Sequence, residues 1–140
     1  MNKLKIILSL LVLFIALGLT QKVSAQNGPV LYFCERYGSD GEVSISDRFY
    51  PGYLTVMVKC DYELGLSDVT VQFDKYNCRT GGFEYYKKFN FTVKPSMKYI
   101  YFEKNSTSDM SFDDPGIYRV FLLDSNGKTV TSGLVEVISK

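Results

Sequence analysis

Residues Phe112 to Val120 read "FDDPGIYRV": an apolar residue, acids, a glycine, and a tyrosine that opens the apolar run "YRVFLLD" at 118–124. On one side lies the aromatic-rich stretch "MKYIYFE" at 97–103. On the other, "SNGK" at 125–128 supplies an Asn-Gly turn, the strongest short hairpin signal in the chain. The role of the stretch depends on what its flanks are.

The flanks read as strands. From Phe83 to Val93 the odd positions are Phe83, Tyr85, Lys87, Phe89, Phe91 and Val93, and the even ones Glu84, Tyr86, Lys88, Asn90 and Thr92. One face is therefore nearly all apolar and the other polar, the period of a half-buried strand. Leu54 to Cys60 and Val69 to Phe73 alternate in the same way, and "NCRTGG" at 77–82 reverses the chain with its paired glycines. With "PVLYFCERY" from Pro29, "EVSIS" from Glu42 and a closing strand at about 129–138, the chain offers about seven to eight strands and no sustained helical period. This predicts an all-β, antiparallel β-sandwich.

"FDDPGIYRV" then joins the fifth expected strand to the sixth. Its apolar residue, acid, glycine and tyrosine, Phe112, Asp114, Gly116 and Tyr118, resemble the tyrosine corner of immunoglobulin-like and fibronectin type III-like sandwiches. The resemblance implies an immunoglobulin-like sandwich in which the Tyr118 hydroxyl turns back onto the preceding loop, with Phe112 plugging the core beneath it. Antibody domains have a cysteine two positions later; here Val120 stands there, and the chain has no tryptophan. The likeness is thus to the wider superfamily.

Residues 1–25 have the layout of a signal peptide, with Lys3 and Lys5 ahead of an apolar run from Ile6 to Leu19 and "VSA" before Gln26. The run is shorter than the ~20 residues that cross a bilayer. A cleavable leader, one domain at 26–140, a secreted or periplasmic location and no stable membrane span after cleavage are the expectations. Loss of Lys3, Lys5 and Lys22 leaves thirteen bases against fifteen acids, a net charge of −2. The bases are scattered, so no stripe for tracking phosphates forms and no nucleic-acid partner is expected.

The chain has no histidine, which rules out imidazole-activated nucleophiles and histidine-bearing zinc or copper sites. Asp113-Asp114 and Asp40 with Glu42 read as turn residues, the sharper alternatives being a carboxylate pair or a calcium loop at 40–47. No catalytic residue, cofactor or metal is expected, and the chain reads as not an enzyme. Of three cysteines, Cys34 and Cys78 are a possible disulfide, with Cys34 to Cys60 and unpaired thiols also open, whereas Cys60 to Cys78 is set aside. Eleven tyrosines are the most unusual positive feature. Tyr50 and Tyr53, flanking Pro51-Gly52, and Tyr86, on the polar face of its strand, are the residues expected to form a binding surface for a protein or glycan. The functional expectation is an exported, non-catalytic binding module; the alternatives are a structural subunit pairing through edge strands and a small carboxylate-dependent enzyme.

Overall fold

The computed structural model describes residues 28–139; the expected leader at 1–25 lies outside them. Among the described residues there is no helix and there are eleven strands. In chain order these are β1 (Val30–Gly38), β2 (Gly41–Ile45), β3 (Arg48–Phe49), β4 (Gly52–Tyr53), β5 (Thr55–Lys59) and β6 (Asp68–Asn77). They are followed by β7 (Gly82–Thr92), β8 (Tyr99–Phe102), β9 (Ser111–Phe112), β10 (Gly116–Leu123) and β11 (Thr129–Val137). The all-β expectation holds. The three two-residue strands, β3, β4 and β9, carry no periodic signal and were not expected.

One sheet has the order β2-β1-β5-β8 and is antiparallel throughout. The second has the order β3-β11-β10-β6-β7, antiparallel except where β3 runs parallel to β11. β4 and β9 form a separate pair, with Gly52 opposite Phe112 and Tyr53 opposite Ser111. β5 and β6 read as neighbours in sequence, yet they lie in different sheets, so residues 60–67 are a crossover between layers rather than a hairpin.

The inward faces of the two sheets make one core. Leu31, Phe33, Val56, Val58, Ile100 and Phe102 come from the first, and Val71, Phe73, Tyr118, Val120, Leu122 and Val135 from the second. Each set recurs at every second residue, so alternation alone carries them inward. The layers approach each other closely at Gly133. A Cβ built there would stand 2.9 Å from Leu31 Cδ2 and 3.0 Å from the Leu31 carbonyl oxygen, so a side chain at this point would force the sheets apart.

The alternation in β7 is broken once. Phe73 pairs with Lys87 and Asp74 with Tyr85, which leaves Tyr86 as an extra residue in a bulge. Beyond the bulge Phe89 and Phe91 face inward, within 6.0 Å of Phe73 and 4.9 Å of Phe102 respectively. Before it, Tyr85 is exposed and the Arg119 guanidinium lies 4.2 Å from the Phe83 ring. The uninterrupted apolar face predicted from Phe83 to Val93 is therefore two half-faces of opposite sense. Tyr86, expected to be exposed, turns inward, is half-buried and meets Tyr118 edge-on at 5.5 Å.

Candidate functional site

The corner residues come together. Gly116 opens β10 at φ +150°, and a Cβ there would lie 3.0 Å from Lys75 Cε, so both conformation and space favour glycine. Two residues on, Tyr118 is fully buried, and its hydroxyl donates to the Asp114 carbonyl at 2.7 Å. Phe112 packs edge-on against that ring at 4.9 Å and against Phe73 at 5.3 Å. Burial pushes the Tyr118 phenol well above its ordinary pKa, with Tyr86 and the nearby aspartates adding to the shift. A group so enclosed has no route to a ligand; its hydrogen bond ties the loop to β10.

The neighbouring carboxylates do not converge. Asp113 accepts from the Ser111 hydroxyl at 3.1 Å, while Asp114 Oδ2 lies 3.6 Å from Lys75 Nζ. Glu42 accepts a short hydrogen bond from the Tyr32 hydroxyl, which holds its carboxyl below the usual range. No group of three or more Cys, Asp or Glu side chains among the described residues could hold a metal ion. Lys87 crosses the open side of the core between four aromatic rings and donates to the carbonyls of Asp109 and Ser111. Burial lowers its pKa against the opposing pull of Asp113 and Asp109.

Tyr50 and Tyr53 have the opposite setting to Tyr118. They are 58% and 52% exposed, and beside them Ile45 is 61% exposed. All three line an open groove of about 500 Å³, together with Glu35, Ser46, Arg48 and Pro51. Gly52, at φ +152°, lets the chain turn between the two rings. Two of the polar members are already engaged: the Ser46 hydroxyl donates to the Arg48 carbonyl at 3.1 Å and accepts from the Arg48 N–H at 3.0 Å. Arg48 donates through Nε to Glu136 at 2.7 Å, which leaves the rest of its guanidinium toward solvent. Just outside the groove, Lys104 donates to the Tyr53 hydroxyl and stands 4.0 Å from the ring centre. That bond raises the pKa of Lys104. The groove thus sets an apolar strip beside Arg48 and Lys104, with the Glu35 carboxylate also at its wall and Arg48 paired to Glu136, a composition suited to a ligand with a flat apolar body and an anionic group.

A second aromatic group was not anticipated. Cys34, Thr55 and Met57 lie on the face of the first sheet opposite the core, yet all three are buried. Tyr32, Tyr37, Tyr99 and Tyr101 cover them, with Tyr37 and Tyr101 stacked at 4.4 Å and 12°. The β1–β2 hairpin curls over this face, helped by Ser44 at φ 57°, and this brings Glu42 to Tyr32. Sequence carries one hint, the apolar Met57 in the outward row of β5.

All three cysteines are free, Cys34 and Cys60 buried and Cys78 exposed. The possible Cys34 to Cys78 disulfide is not formed. Cys34 lies in β1 on the outer side of the first sheet and donates to the Arg36 carbonyl at 3.4 Å, whereas Cys78 lies in the β6–β7 turn of the second sheet. Burial raises the pKa of both Cys34 and Cys60, which keeps them thiols.

No family model matches the chain, and no curated protein does. Among solved structures it is similar to a superoxide reductase (neelaredoxin) from Ignicoccus hospitalis, at 8% identity and TM-score 0.41 over 81% of this chain and 80% of that one. It is also similar to a variant of the same protein, at 9% identity and TM-score 0.42 over 84% and 83%. These neighbours correct three expectations. They are not immunoglobulin-like or fibronectin type III-like domains, so that assignment does not stand and the corner is a local feature of an all-β fold. They are named as enzymes, so neither the reading of the chain as no enzyme nor that of an exported non-catalytic binding module stands. At such TM-scores the likeness carries no activity over to this chain.

Proposed function

We propose that the Tyr50–Tyr53 groove is the functional site, and that it takes a small ligand with a flat apolar or ring-shaped body and an anionic group. Three large apolar side chains exposed side by side, Ile45, Tyr50 and Tyr53, support this reading most strongly. Isolated exposed apolar residues are ordinary; a row of them lining one concavity is not. The volume falls within the range of about 300–1,000 Å³ usual for ligand pockets. The rings stack on the ligand body, Arg48 receives its anionic group, and the Ser46 hydroxyl and Glu35 carboxylate at the walls discriminate by orientation. The residues act within one domain at 26–140, secreted or periplasmic after loss of the leader at 1–25.

The test uses 8-anilinonaphthalene-1-sulfonate, which combines fused rings with a sulfonate and reports binding by fluorescence. Tyr50→Ala and Arg48→Ala each weaken its binding about tenfold, the loss of ~1.4 kcal/mol expected for one aromatic or charged contact. Unchanged affinity in both variants would move the site elsewhere.

A further inference from the structure

The outer face of the first sheet gathers four tyrosines, a thioether and a thiol, and the ligand groove uses none of them. Across β8, β5 and β1, Tyr101 pairs with Met57 and Met57 with Tyr32, so one cross-strand row runs from an exposed ring to a phenol bonded to a carboxylate. Other rings of the group are also in contact: Tyr101 stacks on Tyr37 at 4.4 Å, and Tyr37 lies 5.9 Å from Tyr99. Tyr101 is 44% exposed and is the entrance; Met57 and Cys34 are closed off beneath.

Phenols are oxidised through loss of an electron together with the hydroxyl proton, because the cation radical left by electron loss alone is a very strong acid. A phenol already donating to a carboxylate has its proton acceptor in place, and of these four rings Tyr32 holds the short bond to Glu42. We infer that this face is a one-electron relay that passes an oxidising equivalent from Tyr101 to Tyr32, with a freely diffusing peroxyl radical as the oxidant. The peroxyl radical gains one electron and becomes a peroxide anion. Tyr32 loses one electron and its O–H bond breaks, the proton forming a new O–H bond on Glu42; the products are a neutral tyrosyl radical and a carboxylic acid. This peroxide anion then takes a proton from water, leaving hydroxide in the solvent, and departs as a hydroperoxide. Burial and the bond to Glu42 both raise the pKa of Tyr32, which keeps the phenol protonated until it is oxidised.

The full chain, oxidised by a flash-generated ruthenium(III) polypyridyl complex and freeze-quenched, is examined by electron paramagnetic resonance. One dominant neutral tyrosyl signal is expected, lost in Tyr32→Phe and unchanged in Tyr85→Phe, a ring more exposed than Tyr101 but on the other sheet. Glu42→Gln leaves the core untouched, so it stands as an independent test should Tyr32→Phe not fold; it lowers the radical yield and makes it depend on buffer base. A signal of equal size in Tyr32→Phe, or a yield indifferent to Glu42→Gln, overturns the relay.

Discussion

Tyr118 and Tyr53 each follow a glycine closely, yet one loses all solvent contact and the other keeps half of it. At position 118 the ring enters a layer already lined by Phe112 and Phe73, and its hydroxyl finds a carbonyl four residues back. At position 53 the strand is two residues long and pairs only with β9, so the ring has no second layer to enter and is steadied from outside by Lys104. The same side chain thus serves as an anchor or as a surface according to whether a facing sheet exists. Its amphipathic ring permits both.

Removal of the anchor gives the largest expected effect. Tyr118→Ala leaves a cavity beneath Phe112 and lowers unfolding free energy by about 3–5 kcal/mol in urea titrations. Tyr118→Phe keeps the ring and loses only the bond to Asp114, a cost of about 1 kcal/mol. A third difference appears at alkaline pH. Burial holds the folded Tyr118 phenol protonated above its ordinary value of 10, so past pH 10 the unfolded chain binds fewer protons than the folded one and stability falls as pH rises. Tyr118→Phe therefore shows a shallower alkaline loss than wild type, the remainder coming from Tyr32, Tyr86, Tyr99 and the buried thiols Cys34 and Cys60, whose pKa values are also raised. Smallest of all, Tyr50→Ala changes stability by no more than about 0.5 kcal/mol, as expected for a surface ring. A loss as large as that of Tyr118→Phe would erase the distinction between anchor and surface.

Features set by neighbouring residues were legible in the sequence. The period-two runs of β5 and β6, the Asn-Gly turn, and the corner at 112–118 can each be read from residues within about a dozen positions. Tyr50 and Tyr53 were legible as exposed because Pro51-Gly52 stops a strand from forming across them. What failed depended on distance or on a single backbone choice. The crossover at 60–67 looks like a hairpin loop because length does not say which sheet receives the next strand. Tyr86 was misplaced because one extra residue in β7 reverses the sense of every side chain before it. The bond from Tyr32 to Glu42 brings together β1 and β2 residues that are not register partners, in a hairpin where Ser44 has φ 57°, which no composition rule marks. The immunoglobulin-like assignment extended a local corner, the Tyr118 to Asp114 bond, to a whole topology.

The division between anchor and surface tyrosines is tested most directly by nitrating the folded protein with tetranitromethane and mapping each tyrosine by mass spectrometry over time. Tyr50, Tyr53 and Tyr85 are expected to react first, Tyr50 and Tyr53 more slowly once the groove is filled with the naphthalene sulfonate, while Tyr118 stays unmodified until the chain is unfolded in urea. Nitration of Tyr118 at the rate of Tyr50 in the folded protein would contradict the account.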